Sequence, residues 1–327
     1  MTTFDVLNPM ISTVAKGLSG KVITIAGGNN LGKTKQATRM EKPFYLGFEK
    51  GIRAIPGIPF LPINNWTDFV KINRQLTNPK TLEQVKEKYQ TIIFDEVYTS
   101  ALYCQDFLCR KHGVETIGDG NDGFGLWKEY ELSYWEQIDK LLGAGFTLVF
   151  ISHVEQTKEG KFIPKGDKRS IKPIIDNSDI VLFLSSNGMD ENNKVIPSSA
   201  WLAETEHFFA RSRFDYIDTH IPAFSAESLE RAIAVAIERQ EEVEGIKAVS
   251  YDEQKDTYKS ETLDFDQILL EINTLGAKIA GAGQLDELLE LVEKHLGKDK
   301  KVADAKPSQV ELLSLLLLDV RDFAETI

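Results

Sequence analysis

Gly27-Gly28-Asn29-Asn30-Leu31-Gly32-Lys33-Thr34 is a complete G-x-x-x-x-G-K-[ST] phosphate loop, and its flanks are those such a loop needs. The apolar, β-branched run Val22 to Ala26 leads in as a strand, and the polar stretch Lys33 to Met40 leads out as a helix. Strand, loop and helix in that order aim several backbone N–H groups at one point. Lys33 adds a mobile positive charge, and Thr34 adds a hydroxyl suited to Mg2+. A chance match in a chain of this composition is expected about 0.01 times, taking glycine near 7%. The loop, together with Lys35, is therefore expected to bind the phosphates of ATP in the presence of Mg2+.

Outward from the loop, short apolar runs alternate with helical stretches. Phe44 to Phe48, Thr91 to Asp95, Phe146 to Ile151 and Ile180 to Leu184 read as buried parallel strands, with a weaker pair around Ala200 to Glu204 and Phe208 to Arg211. Helices are expected at 66–76, 81–88, 97–111 and 126–142. The last carries Leu126, Tyr130, Tyr134, Ile138 and Leu141 on one face. His112 to Gly125 holds five glycines and reads as a mobile loop. Residues 1–224 thus read as an α/β domain with a mostly parallel sheet. After Ile221-Pro222 the pattern changes. Residues 225–262 read as one long helix, Ala226 to Glu244, followed by a polar linker over 248–261. Residues 263–327 read as a small all-α domain, with amphipathic helices at Leu263 to Ala280, Leu285 to Leu296 and Pro307 to Phe323.

The formal charge of −12 is not spread evenly. Residues 225–327 hold 23 acidic and 12 basic residues, so nearly all the excess lies there and the remainder is close to neutral. A local basic surface on residues 1–224 is compatible with that balance. One basic stretch stands out. Glu155 to Lys172 has Lys158, Lys161, Lys165, Lys168, Arg169 and Lys172 against Glu155, Glu159 and Asp167. The two cysteines, Cys104 and Cys109, lack metal-ligand spacing and companions. No apolar stretch is long enough to cross a bilayer, and the first residues lack a secretion-signal pattern. A reducing cytoplasm and no membrane partner are expected.

A phosphate-loop enzyme needs a carboxylate at the end of a second strand to hold the metal shell, and Asp95 closes the run Thr91 to Phe94. Thr34 and Asp95 are the expected metal-site residues. Hydrolysis also needs a group that orients the attacking water. Glu96, beside Asp95, and Glu49, just past the strand Phe44 to Phe48, are the two candidates. Adjacent strand residues point to opposite faces, which favours Glu49 without removing Glu96. His153 follows the strand Phe146 to Ile151 and is placed to touch a γ-phosphate. Arg211 and Arg213 lie two apart on one expected strand face, where they could neutralise phosphoryl charge in cis or from a neighbouring subunit.

With these pieces in chain order, the sequence resembles the RecA-type P-loop ATPases, and in particular a phage-encoded nucleotide-binding branch that includes the Sak-type single-strand annealing and recombination proteins. The resemblance runs from about Lys21 to Leu229. It implies a RecA-like core that hydrolyses ATP and assembles as a homo-oligomeric ring or filament on single-stranded DNA. A single-strand DNA-binding protein is a further implied partner, and the host cytoplasm the implied location. Phe44 to Gly51 resembles the family strand that ends in the water-activating acid, which supports Glu49. Ile151 to Val154 resembles the strand end where a Gln or His senses the γ-phosphate. Glu155 to Lys172 falls where the family has a DNA-contacting loop, which makes Lys158, Lys161, Lys165, Lys168 and Arg169 the expected DNA contacts. Ala210 to Phe214 resembles the Lys/Arg-x-Arg motif that reaches a neighbouring protomer's ATP site. The chain departs from the family in its loop interior, Gly-Asn-Asn-Leu, and in carrying Glu96 where a small polar residue is usual. Two other classes stay open. A phosphotransferase could use 155–172 as a lid, and a scaffold could bind nucleotide without turning it over. A GTPase is disfavoured by the lack of an Asn-Lys-x-Asp motif.

Overall fold

The strongly apolar runs become strands because each finds cover on both faces. In the computed structural model, which describes residues 6–257 and 263–327, these are β1 (Val22–Gly27), β2 (Pro43–Gly47), β3 (Thr91–Asp95) and β4 (Thr147–Ser152). A hairpin of β5 (Val154–Gln156) and β6 (Phe162–Pro164) comes next, and then β7 (Ile180–Ser185). The main sheet has eight strands. Its parallel part runs β7-β1-β4-β3-β2. Three short antiparallel strands, β8 (Ser199–Trp201), β9 (Arg211–Ser212) and β10 (His220–Ile221), extend the β7 edge. The two weaker sequence runs are thus β8 and β9, shorter than expected and antiparallel.

The period-2 alternation sorts the strand residues between two cores. Phe44, Leu46, Ile92, Phe94, Leu148 and Phe150 face one side. There they meet α2 (Trp66–Leu76), α4 (Val97–His112), α5 (Trp127–Ala144) and α6 (Lys168–Asn177), while α3 (Leu82–Lys88) lies at that cluster's edge. Ile23, Ile25, Tyr45, Ile93, Val149 and Ile151 face the other side. There they meet α1 (Lys33–Ala37) and Leu229, Ile233 and Ile237 of α7 (Ala226–Glu244). The expected face of α5 is fully realised, since Leu126, Tyr130, Tyr134, Ile138 and Leu141 are all buried.

The chain divides into two compact units: the sheet unit spans Ile11 to Asp256, and the other takes in residues 257–327 together with the described residues up to Met10. The sheet unit therefore extends well past residue 224, because α7 supplies part of its second core. The segment read as a polar linker is also partly tied to this unit. Val249 exchanges backbone hydrogen bonds with Val14 and Lys16. Tyr251, which opens α8 (Tyr251–Thr257), donates from its hydroxyl to the Gly145 carbonyl at 3.0 Å. Its ring fills space that a Cβ at Gly20 or Gly145 would occupy. Average polarity hides one inserted tyrosine. The rest of the expected linker, 258–262, lies outside the described residues.

The expected mobile loop 112–125 is instead folded into two 3-10 turns, Ile117–Asp119 and Asn121–Gly123. A reciprocal cap between Thr116 and Asp119 and the buried Ile117 hold it. The second unit contains α9 (Phe265–Gly281), α10 (Leu285–Leu296) and α11 (Val310–Ala324). Its own core comprises Ile268, Ile272, Ile279, Val292, Leu313, Leu316, Leu317 and Val320.

Candidate nucleotide-binding site

The sheet register brings the functional ends of four strands to one edge. Gly47 is level with Asp95, Asp95 with Ile151, and Ala26 with Ser152. Strand β4 lies between β1 and β3, so the residue after β4, His153, falls between the phosphate loop and the Asp95 strand. Ligands of open α/β sheets bind in the crevice beyond such carboxyl ends.

In the loop, Asn30 (φ 62°) and Gly32 (φ 83°) take left-handed backbone, which lets the chain curl back before α1. Gly27 is packed close to β7, where a Cβ would come within 3.1 Å of Leu184 Cβ. Leu31 anchors the loop: its side chain packs on the second core, and its carbonyl accepts from the Ser198 hydroxyl at 3.1 Å. Asn29, Asn30 and Lys35 are exposed, and Gly28 is half-buried. Lys33 is buried, and its ammonium donates to the carbonyls of Gly27 (2.9 Å) and Gly28 (2.7 Å). Burial pushes its pKa down, opposed by the negative charges of Asp95, Glu49 and Glu96. The lysine is thus folded over its own loop.

Thr34 donates from its hydroxyl to Asp95 Oδ2 at 2.6 Å, which unites the two expected metal-site residues. The Tyr45 hydroxyl donates to the same oxygen at 3.1 Å. Burial pushes the Asp95 carboxyl up, and the two hydrogen bonds and Lys33 oppose that shift. A hydroxyl beside one carboxylate is the donor set expected for Mg2+, which keeps water and substrate phosphates in its shell. Among the described residues, no group of three or more His, Cys, Asp or Glu forms a self-sufficient metal cage. The site therefore fits Mg2+ bound together with a phosphate chain.

The two candidate glutamates differ in what they already do. Glu96 is buried and caps α4, accepting from the N–H of Tyr98 (3.1 Å), the N–H of Thr99 (2.8 Å) and the Thr99 hydroxyl (2.7 Å). Glu49 leaves 39% of its side chain exposed and makes only long contacts, 3.4 Å to His153 Nε2 and 3.4 Å to the Thr99 hydroxyl. Its carboxylate faces the same region as Lys33 and Asp95. His153 is joined to the β5–β6 hairpin, which begins at the next residue, and its carbonyl accepts from the Lys165 N–H at 2.8 Å.

Arg211 and Arg213 lie elsewhere. Arg211 is level with Val181 and Gly27 with Leu184, so the arginine is three residues, roughly 10 Å, down the sheet from the phosphate loop. Both guanidinium groups donate to the turn after α6. Arg211 reaches the carbonyls of Asp176 (3.0 Å) and Ser178 (3.1 Å), and Arg213 reaches the Asp176 carbonyl (2.6 Å) and Asp179 (3.5 Å). The structure does not bring them to the phosphate loop of their own chain.

The basic stretch is not one loop. It is the hairpin β5–β6 and the start of α6, which disperses its charges. Lys158 is exposed at the hairpin turn and Lys168 at the head of α6. Lys161 is paired with Glu204. The Lys165 ammonium sits 4.0 Å from the Tyr98 ring centroid, and Arg169 lies over Trp127 at 4.8 Å and near Asp167 at 3.8 Å.

Two residues escape a reading of the sequence alone. Tyr45 meets Asp95, and Thr99 meets Glu49, because β2 pairs with β3 in one register. The available signal is a tyrosine on the apolar alternation of β2, two residues before a glycine. The glycine is needed, since a Cβ at Gly47 would lie 2.2 Å from the Tyr45 ring.

No helix among the described residues is long and apolar enough to cross a membrane. The chain is 59% identical over 318 residues, 97% of its length and 98% of the relative's, to the SPbeta prophage-derived uncharacterized protein YorG of Bacillus subtilis. Residues 19–214, the span that holds the phosphate loop, Asp95, His153 and the arginine pair, match the AAA domain. The chain therefore belongs to the AAA-domain family of P-loop proteins.

Proposed function

We propose that this protein hydrolyses Mg2+-bound ATP and uses the cycle to act on single-stranded DNA, in recombination or strand annealing, as a homo-oligomer. The observation that carries the hydrolysis reading is the meeting of Lys33, Thr34, Asp95, Glu49 and His153 at the carboxyl edge of one sheet. Mg2+ held beside Thr34 and Asp95 would supply charge neutralisation at the phosphates. Lys33 leaves the loop carbonyls to pair with phosphate oxygens. Glu49, open to solvent, orients the attacking water and accepts its proton. Glu96 holds the head of α4 and so fixes the chain beside Asp95.

The DNA reading rests on what adjoins this centre. His153 contacts Glu49 and is bonded through its backbone to the base of the β5–β6 hairpin. A change at the γ-phosphate thus has a short path to Lys158 and Lys165. The chain-order resemblance to RecA-type phage proteins supports the same reading, and the similar Bacillus subtilis protein is prophage-derived. Arg211 and Arg213, remote from their own loop, are assigned to a neighbouring protomer's site.

The test is the ATPase rate of the purified protein with and without single-stranded oligonucleotide. A clear rise with DNA is expected. A rate unaffected by DNA but raised by a small-molecule acceptor would replace this reading with a phosphotransferase. Binding without turnover under all conditions would replace it with a nucleotide-dependent scaffold.

A further inference from the structure

Tyr45 is fully buried on the face of β2 that otherwise meets Ile23, Ile25, Ile93, Val149 and Ile151. A phenylalanine would fill the same space and bring no polar atom. A buried phenol needs a partner. The Tyr45 hydroxyl donates to Asp95 Oδ2 at 3.1 Å. The Ile52 side chain packs on the same core as the Tyr45 ring. Ile52 lies in the 3-10 turn Gly51–Ala54, directly after Glu49 and Lys50. The hydroxyl thus bridges β2 to the carboxylate paired with Thr34, beneath the turn that follows Glu49.

The surroundings are shaped for this bridge. A Cβ at Gly47 would lie 2.2 Å from Tyr45 Cε1 and 3.0 Å from Cζ. The backbone of Gly47 is not left-handed, so its requirement for glycine is space for the ring. A Cβ at Gly51 would sit 3.8 Å from the Tyr45 hydroxyl and 3.9 Å from Asp95 Oδ2, so this turn passes directly over the pair. The Thr34 contact alone pins Asp95 to a hydroxyl that must also serve the metal. Tyr45 is a second donor, rooted in the sheet.

We propose that Tyr45 is a positioning residue for the metal site, whose hydroxyl holds the Asp95 carboxylate in place beside Thr34. The proposal rests on the reading of the 27–34 loop as an Mg2+·ATP site. Loss of the hydroxyl removes a hydrogen bond to a charged group without altering the ring volume. The cost falls on Mg2+ retention and leaves Mg2+-free nucleotide contacts intact.

The experiment is Mg2+ titration of N-methylanthraniloyl-ATP binding by fluorescence, with thermal unfolding as a check on the fold. For Tyr45→Phe, the Mg2+ concentration at half-saturation should rise roughly five- to tenfold, while affinity in EDTA stays at the parent value. Gly47→Ala, which displaces the ring and keeps the phenol, should give the same signature. The double variant should be no worse than the more affected single variant, because both changes break one bridge. Half-saturation of Tyr45→Phe within about twofold of the parent would overturn the proposal. An equal loss of affinity in EDTA would overturn it too, since that marks a general structural defect. If the parent bound no nucleotide with Mg2+ present, the site reading would fail first and take this proposal with it, an outcome distinct from the other two.

Discussion

Removal of the Glu96 carboxylate should unfold the protein sooner, whereas removal of the Glu49 charge should stop turnover and spare the fold. Glu96 accepts three hydrogen bonds at the buried head of α4, two from backbone N–H groups and one from the Thr99 hydroxyl. Glu96→Ala loses an N-cap, typically about 1 kcal/mol, and leaves half-buried donors at Tyr98 and Thr99 without an acceptor. A total of ~3 kcal/mol is expected after partial relaxation. In a unit of this size each kcal/mol shifts the unfolding midpoint by about 2–4 °C, so a fall of about 6–12 °C is predicted. Glu49 has 39% of its side chain exposed and contacts of 3.4 Å, so Glu49→Gln should move the midpoint by no more than about 2 °C. Its ATP turnover should drop by roughly 10²–10⁴, the usual worth of a general base, with nucleotide affinity kept. Scanning fluorimetry, a coupled ATPase assay and calorimetric ATP titration on the same preparations give all three quantities. Glu96→Gln that melts with the parent and hydrolyses nothing, beside Glu49→Gln with normal turnover, would refute the assignment and make Glu96 the catalytic carboxylate.

Lys33→Ala should leave the midpoint nearly unchanged and weaken Mg2+·ATP binding by about ten- to a hundredfold, the worth of a charged hydrogen bond, measured by calorimetry. Mixing Lys33→Ala with an Arg211→Ala/Arg213→Ala protein should restore some ATPase, since mixed interfaces pair one intact loop with one intact arginine pair. No recovery in confirmed mixed oligomers counts against a shared site. Replacing Lys158, Lys161, Lys165, Lys168 and Arg169 with Ala should weaken single-stranded DNA binding and flatten its salt dependence in fluorescence anisotropy. Lys158 and Lys168 should account for more of that slope than Lys161, which is already paired with Glu204. Lys21 donates to the Ala15 carbonyl at 2.7 Å, and burial lowers its pKa from 10.5 to about 8. The unfolded chain therefore binds more protons than the native one between those values, and stability should rise with pH across that window. The difference in midpoint between the parent and Lys21→Met should track that rise, and a pH-independent difference would remove Lys21 as its source.

Legible in the sequence is whatever is written in adjacent residues. The phosphate loop is eight consecutive positions, and Val22–Gly27 before it is a strand because its β-branched residues are covered on both faces. Asp95 is legible for the same reason, as the polar end of an apolar run. The arrangement around Asp95 is not, because it is set by register between strands. Tyr45 meets Asp95 across 50 residues, and Glu49 meets His153 across 104. A one-residue slip of β2 against β3 would turn Tyr45 to the other core and break the bridge. The basic stretch reads as a loop because charge count does not report pairing. Val154–Gln156 and Phe162–Pro164 fold back on one another, and Lys161 and Lys165 take separate partners, Glu204 and the Tyr98 ring. The first unit reaches further than residue 224 because α7, which reads as a helix leading into a linker, packs Leu229, Ile233 and Ile237 with the sheet. The Glu49–Glu96 alternative turns on this same distinction. In sequence Glu96 adjoins Asp95 while Glu49 ends another strand, and strand alternation only favours Glu49; cap geometry commits Glu96 to α4 and leaves Glu49 open to solvent beside His153. A carboxylate whose oxygens already accept three hydrogen bonds at a helix head is held away from an attacking water, and that is the physical reason to place catalysis on Glu49.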